Sequence, residues 1–396
     1  MIRIPIIIIA FYLSIVGAFS QSPSPSSGDS THYSSRKLTV DEVNFVSSYY
    51  QQTGNNAAVT GGIGSEKLTD FVSVIDIHLS KRDRKNGLHT FTAELGMDSY
   101  TSASSDKIDP NTISSASSKD QRYYPTFGWT RTDDVSRVSI GATLSGSFEY
   151  DYYSIGAGIQ ASKNSKDKNR EVSLRLQTFQ DQLTLIYPVE LRDSKPTGLT
   201  SRNTYTASIG LSQVVNTRLQ LMLLLDLAYQ NGYLSLPFNR VYFADNSESI
   251  ALLPGNRFKI PIGVRGNYFL GDRLILRGFY RYYWDDWKLT AHTAEIETAV
   301  KITPFLSVTP FYRYYRQSAT KYFAPFKTHS GNEVFYSSDY DLSKFDSHFA
   351  GLGFRMISAD GIFGLERWQM IEIRYGHYQR ATGLVSNIIS VHAKFK

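Results

Sequence analysis

The chain has 396 residues, with 42 Lys+Arg against 36 Asp+Glu, a formal net charge of +6 and no cysteine. Lacking Cys, it has no disulfide scaffold, thiolate metal site or cysteine nucleophile, and its diffuse positive charge, without a Lys/Arg block, excludes a nucleic-acid footprint. A mean hydropathy of −0.27 ordinarily marks a soluble protein, yet 27 Tyr, 23 Phe and 4 Trp bring the aromatics to 14%.

The first element is an address. Met1–Ser20 carries Arg3, an apolar run from Ile6 to Phe19 and the ending Ala18-Phe19-Ser20. A cationic start, a short apolar stretch and small residues before Gln21 describe a secretory signal peptide. The run is short for a membrane-spanning helix, which needs about 20 apolar residues. Residues 21–40, rich in Ser and Pro, read as a disordered polar linker, too poor in apolar side chains to fold.

Residues 41–396 alternate apolar and polar side chains with period two. In Arg137–Phe148, Val138, Ile140, Ala142, Leu144 and Phe148 share one face, while Arg137, Ser139, Thr143, Ser145 and Ser147 share the other. Such alternation is the mark of a half-buried strand. It recurs in Val172–Gln180, in Phe258–Leu270 and in the last residues, where Ile389, Val391, Ala393 and Phe395 oppose Ser390, His392 and Lys394. The predicted strands fall near 43–52, 59–80, 87–101, 121–132, 135–148, 152–162, 170–187, 203–214, 217–232, 257–270, 273–284, 288–301, 304–318, 345–357, 368–380 and 385–395. Most are much longer than the five or six residues usual in soluble proteins, and a tilted strand crosses a bilayer in about 9–11.

If the first strand ascends, the four longest gaps, 102–120, 188–202, 233–256 and 319–344, all fall at one end. Short turns such as Thr132-Asp133-Asp134 and Leu270-Gly271-Asp272 occupy the other. Long loops at one end and tight turns at the other are the habit of outer-membrane barrels. Aromatics gather at strand ends, as Tyr49-Tyr50, Tyr123-Tyr124, Tyr152-Tyr153, Tyr282-Tyr283-Trp284 with Trp287, and Tyr312, Tyr314 and Tyr315. Interfacial girdles account for that placement. The expected fold is therefore all-β, a transmembrane antiparallel up-and-down barrel of about sixteen strands with its long loops outside. Low hydropathy then follows, because only alternate residues face lipid.

Val43–Asp70 and Asp98–Asp120, with the Ser-rich pair Ser102–Asp106 and Ser114–Asp120, resemble an uncharacterised family of Gram-negative outer-membrane barrels, a domain of unknown function. The resemblance extends over nearly all of the mature chain. It implies the barrel fold and an outer-membrane location. It also implies a redox or envelope-assembly setting, since members often occur near thioredoxin-like and flavin-transferring proteins. Such barrels commonly end on an aromatic; this chain ends Phe395-Lys396, an offset that bears on assembly.

For function, the polar strand faces come first. Arg273, Arg277 and Arg281 share a face on one predicted strand, and Glu295, Glu297 and Lys301 on the next. Arg265 and Arg313 flank them, and Arg355, Glu372, Arg374 and Arg380 continue around the wall. These residues are expected to line a lumen and to pair across neighbouring strands. They make either a charged constriction whose arginine excess favours anions or a structural ion-pair filling. In the loop 102–120, Asp106, Asp109 and Asp120 offer hard oxygen ligands for a cation, though their spacing fits no EF-hand and a solvated loop reads as well.

No G-x-S-x-G, H-E-x-x-H, P-loop or helix-opening G-x-G-x-x-G occurs, so no enzyme and no cofactor is expected. His78 beside Asp76, facing Glu94 and Asp98, is the best cluster for a membrane-embedded enzyme, but no nucleophile accompanies it. The leading expectation is a porin-like channel or transport component. The alternative is a non-conducting scaffold whose long loops grip an envelope protein. Outer-membrane lipid is the expected surrounding in either case.

Overall fold

The computed structural model describes residues 37–101, 119–194 and 198–396. The predicted leader 1–20 and the linker as far as residue 36 lie outside them. The linker's last residues are already strand, for Thr39 and Val40 pair with Ser80 and Leu79.

Period-two alternation becomes strand after strand. They are β1 (Thr39–Thr53), β2 (Leu68–Arg82), β3 (Leu88–Thr101), β4 (Lys119–Asp133), β5 (Val138–Phe148), β6 (Tyr152–Asn164), β7 (Arg170–Thr184), β8 (Leu199–Asn216) and β9 (Leu219–Gly232). A short hairpin of β10 (Arg240–Tyr242) and β11 (Glu248–Ile250) follows. The series resumes with β12 (Asn256–Leu270), β13 (Leu274–Asp285), β14 (Thr290–Lys301), β15 (Leu306–Gln317), β16 (Phe345–Ile357), β17 (Trp368–Arg380) and β18 (Val385–Phe395). Setting aside the β10–β11 hairpin, each strand pairs with its sequence neighbours, and β1 closes the ring on β18 from Val43↔Phe395 to Thr53↔Val385. The result is a closed, sixteen-stranded antiparallel barrel. Closure leaves no unpaired strand edge, which is why a sheet can cross a bilayer at all.

The apolar face of each strand points outward. Phe127, Leu144, Ile155, Ile159, Leu223, Ile262, Ile296 and Ile373 are exposed on the convex surface, where hydrocarbon replaces water. In each adjacent aromatic pair, period two sends one ring out and one in. Tyr49, Tyr123 and Tyr153 are exposed on the outside, while Tyr50, Tyr124 and Tyr152 lie on the lumen parity of β1, β4 and β6.

The longest connections, 54–67, 102–118, 185–198, 233–255 and 318–344, all join strands at one end, where 149–151, 286–289 and 381–384 are short; at the other end 83–87, 134–137, 165–169, 217–218, 271–273 and 302–305 are tight turns and 358–367 is longer. Asx side chains hold several turns: Asn216 Oδ1 accepts the amides of Arg218 and Leu219 at 2.8 and 3.0 Å, and Asp83 Oδ1 accepts those of Lys85 and Gly87 at 2.7 and 2.9 Å. Asp83, held by Gly87, His89 and Arg131, keeps its carboxyl well below the usual range.

Two expectations need correction. The predicted strand 59–80 begins only at Leu68, because 54–67 folds as a loop with a single 3-10 turn at Ala58–Thr60. Gly61, Gly62 and Gly64 take positive φ there, which ends any strand. Second, Arg273 sits exposed in the turn before β13 rather than on the strand with Arg277 and Arg281.

Candidate functional site

The polar face of β12–β17 forms a basic wall. Register sets Arg277 beside Glu297, Glu295 beside Arg313 and Arg355 beside Glu372. Side chains then link the rungs. Arg277 pairs with Glu297; Arg374 Nη2 lies 2.6 Å from Glu297 Oε2 and its Nη1 3.2 Å from Glu372 Oε1; Arg355 Nε lies 3.8 Å from Glu372 Oε2. Glu297 and Arg374 belong to strands three apart in the ring. They meet only because the concave side of a barrel draws such strands together, which places this whole parity in the lumen.

Aromatic rings support the guanidinium groups. Arg374 lies 4.9 Å over Phe311, Arg313 4.9 Å over Phe349 and Arg265 5.4 Å over Phe279. Phe311 and Phe349 touch, with centroids 5.2 Å apart. Glycine makes room for them: a Cβ on Gly351 would come 2.1 Å from the Tyr375 carbonyl and 2.4 Å from Phe311. Among the described residues Arg265, Arg281 and Arg313 make no ion pair, and against them stands Glu295 opposite Arg313, so this part of the wall keeps a surplus of positive charge facing the bore.

The opposite side differs. In ring order β3 stands across from β13, and the lumen face of β2 and β3 carries Asp70, Asp76, Glu94 and Asp98. Asp76 and Glu94 are direct cross-strand partners. His78 Nε2 lies 2.7 Å from Asp76 Oδ2, and among the described residues no hydroxyl bonds to its ring. Asp98 does not face His78 as expected. It pairs with Val72, higher on the strand, where Tyr124 donates to it at 2.9 Å and Arg122 approaches at 3.9 Å. A hydrolytic His–nucleophile arrangement is thus not assembled here.

The outer mouth is bridged by loops, which the sequence reading missed. Arg240, 5% exposed, extends from the β9–β12 loop and donates to the Val59 carbonyl of the β1–β2 loop at 2.7 Å and to Glu190 at 2.5 Å. Those two loops rise from opposite sides of the ring. Val241, Phe243 and Ala251 pack with Tyr336 into a small apolar core, and single bridges join Leu252 to Tyr336 and Phe243 to His329. Gly61 (φ +79°) sits where a Cβ would strike the Tyr242 ring at 2.6 Å. The one signal in the sequence was Gly61-Gly62-Ile63-Gly64, a run unsuited to a strand interior.

Beneath this cap lies a cavity of about 750 Å³, bounded by Tyr50, Arg313, Asp339, Asp341, Tyr378 and Arg380 among others. Arg380 Nη2 holds Asp341 at 2.7 Å. Burial, reinforced by the Asp341 charge, pushes the Asp339 carboxyl above its ordinary range, and burial pushes Glu66 up as well.

Of the expected loop cation ligands, Asp106 and Asp109 lie outside the described residues. Asp120 is buried at the top of β4. It meets Glu149 and Asp151 of the β5–β6 turn, with one carboxylate oxygen from each within 4.8 Å of the others. Burial and the charges of Asp120 and Glu149 push Asp151 up to about 6.

A closed ring with a lipid-compatible outer band, a charged interior and long loops at one end defines an outer-membrane β-barrel. Residues 89–383 match the family described as "Protein of unknown function (DUF3570)", and the chain belongs to that family. The match takes in Asp98–Asp120 of the resembling segments and leaves Val43–Asp70 outside it. No curated protein matches the chain. Among solved structures it is similar to a bacterial polysaccharide outer membrane secretin (10% identity, TM-score 0.44, 89% of this chain and 98% of that one). It is also similar to Pseudomonas aeruginosa OccK9 (OpdG) (8%, 0.43, 90% and 98%) and to Acinetobacter baumannii OccAB4 (9%, 0.36, 91% and 98%). At such identities and scores these likenesses say nothing of solute.

Proposed function

We propose that this barrel resides in the outer membrane, exported by the leader 1–20, and conducts small solutes with a preference for anions. The observation that carries the reading is the set of guanidiniums without an ion pair, Arg265, Arg281 and Arg313, which outnumber Glu295, the carboxylate opposite Arg313, on a wall where Arg277, Glu297, Arg374, Glu372 and Arg355 are interlocked. Facing charges of opposite sign draw a field across the bore, and fixed cations along one wall lower the entry barrier for anions. Glu297 and Glu372 engage Arg277, Arg355 and Arg374 and hold those arginines in place, leaving the free ones to meet solute.

Purified, folded protein in a planar bilayer under a KCl gradient tests this. A reversal potential on the chloride side supports it, and cation preference or persistent silence overturns it. The bridged mouth favours a second reading, a closed barrel that grips an envelope protein through its loops. Purification from native membranes in mild detergent separates the two: repeated recovery of the barrel alone argues against the scaffold.

A further inference from the structure

Three carboxylates, Asp120, Glu149 and Asp151, gather at the rim of β4 and β5. Asp120 sits in the first rungs of β4, opposite Tyr100 of β3. The β4–β5 pairing, with Tyr123 across from Phe148, brings the turn 149–151 up beside it. Tyr100 Oη donates to Glu149 Oε2 at 2.7 Å and thereby aims that side chain. Asp120 is 3% exposed. Its Oδ1 accepts the Gln121 amide at 2.7 Å and the Tyr150 amide of the turn also approaches the carboxylate, while its Oδ2 is buried without a hydrogen-bond partner among the described residues. A buried carboxylate oxygen left bare is costly unless something positive meets it.

Arg122 is a cation that reaches this group. Arg122 lies 3.5 Å from Glu149 Oε1, but it also turns 3.9 Å from Asp98 and donates to Ser147 Oγ at 2.8 Å. One guanidinium is thus shared between Glu149 and a carboxylate outside the group.

We propose that Asp120, Glu149 and Asp151 bind a calcium ion. Two oxygens on one Ca²⁺, each at about 2.3–2.6 Å, cannot stand further apart than about 5 Å, and the three here lie within 4.8 Å. Three carboxylates leave several of calcium's six to eight positions to water. Magnesium demands a near-ideal octahedron and gives up its waters reluctantly, so three carboxylates fixed on a strand and a turn suit the more adaptable calcium better. The site faces the outside, where millimolar calcium suits the weak affinities of about 10⁻⁴–10⁻³ M typical of extracellular sites. Its work is to staple the β5–β6 turn to the top of β4, and it does not depend on whether the barrel conducts.

Tyr100, against Glu149, also provides the readout. Terbium, a calcium substitute excited through tyrosine, is titrated into the full-length folded protein in detergent. The expected result is saturable luminescence, displaced by Ca²⁺ at lower concentration than by Mg²⁺. It is lost in Asp120→Asn/Glu149→Gln and kept in Asp167→Asn, an exposed acid of the opposite rim. Thermal unfolding adds a signature that misfolding would not produce. In chelator the double variant should be at least as stable as the parent, having lost mutual repulsion, and only the parent should gain stability on adding calcium. Unsaturable luminescence, signal retained in the double variant, or an equal calcium gain in both proteins overturns the proposal.

Discussion

The two walls of the lumen are built from opposite charges and from opposite ideas of how to hold a charge. On β12–β17 Arg265 and Arg313 rest on rings, Arg281 stands with neither ring nor carboxylate among the described residues, and the Arg277–Glu297–Arg374–Glu372–Arg355 chain ties strands that are not neighbours. On β2 and β3 acids stand next to acids, Asp76 opposite Glu94, with His78 and Asn44 as modest partners. Fixed geometry makes the basic wall a place where solute meets charge at known positions. The acidic wall is softer and sets the sign of the field on the far side. Charge count alone would not distinguish them; the aromatic and glycine scaffolding under the arginines does.

Removing that scaffolding should have the largest effect. Gly351→Val puts branched carbon where the Tyr375 carbonyl and Phe311 already press. Overpacking of this kind costs about 1–3 kcal/mol or more, because side chains leave their rotamers and strands shift. Heat-modifiability on gels should show a fall in folded barrel, whereas Gly278→Val, on the lipid face with nothing within 4 Å of its Cβ position, should assemble normally. Equal behaviour of the two would mean that the Phe311–Phe349 platform is loosely packed.

Charge reversal comes next. Arg265→Glu with Arg281→Glu, neither of them opposite a carboxylate in the register, replaces cations by anions without breaking an ion pair, so the barrel should fold while the anion preference falls about tenfold or inverts, shrinking at high salt as exposed charges are screened. Glu94→Gln with Asp98→Asn on the other wall should move the reversal potential in the anion direction by less. If the acidic wall proves the more sensitive, the ranking of the walls is reversed.

How much of this contrast was legible in the sequence follows from distance along the ring. Strand parity assigns Arg265, Arg277, Arg281, Glu295 and Glu297 to one face at once, because period two is local. Adjacent pairs such as Arg277 and Glu297 follow from register. The Glu297–Arg374 bond does not, since it needs the curvature that brings β14 and β17 together. Arg273 was misplaced by a single residue, the difference between the end of a turn and the start of a strand. The β10–β11 hairpin has strands too short for periodicity to reveal. Asp120 was visible as an acid in a suggestive loop, but its partners Glu149 and Asp151 lie across a strand pair, and Asp106 and Asp109, chosen for nearness in sequence, fall outside the described residues.

The cap carries the contrast to the mouth, where Glu66, Asp339 and Asp341 face Arg380 of the basic wall. Burial and Asp341 raise the Asp339 carboxyl above its unfolded value, so the folded loops bind its proton more tightly than the unfolded chain does. Stability from this source is fully present in acid and is lost as pH rises through the raised value. Conductance should therefore be lower at pH 5 than at pH 8, and Asp339→Asn, neutral throughout, should flatten the difference at the low level. A pH response that survives the substitution would assign gating to other groups.

The smallest effect separates the arginines that ion pairs hold from those that rings hold. Phe311→Leu removes the face beneath Arg374, a cation–π contact worth about 0.5–1 kcal/mol at a wet site, yet Glu297 and Glu372 still grip the guanidinium. Conductance and selectivity should barely move. Phe279→Leu takes the ring from Arg265, which has no carboxylate to fall back on, so that side chain gains freedom and single-channel current noise should rise with a modest loss of anion preference. Both substitutions remove similar volume from the same wall, so packing loss alone predicts equal shifts. Only the difference in partners predicts that the second exceeds the first, and equal responses in paired bilayer recordings would show that carboxylates do not position Arg374.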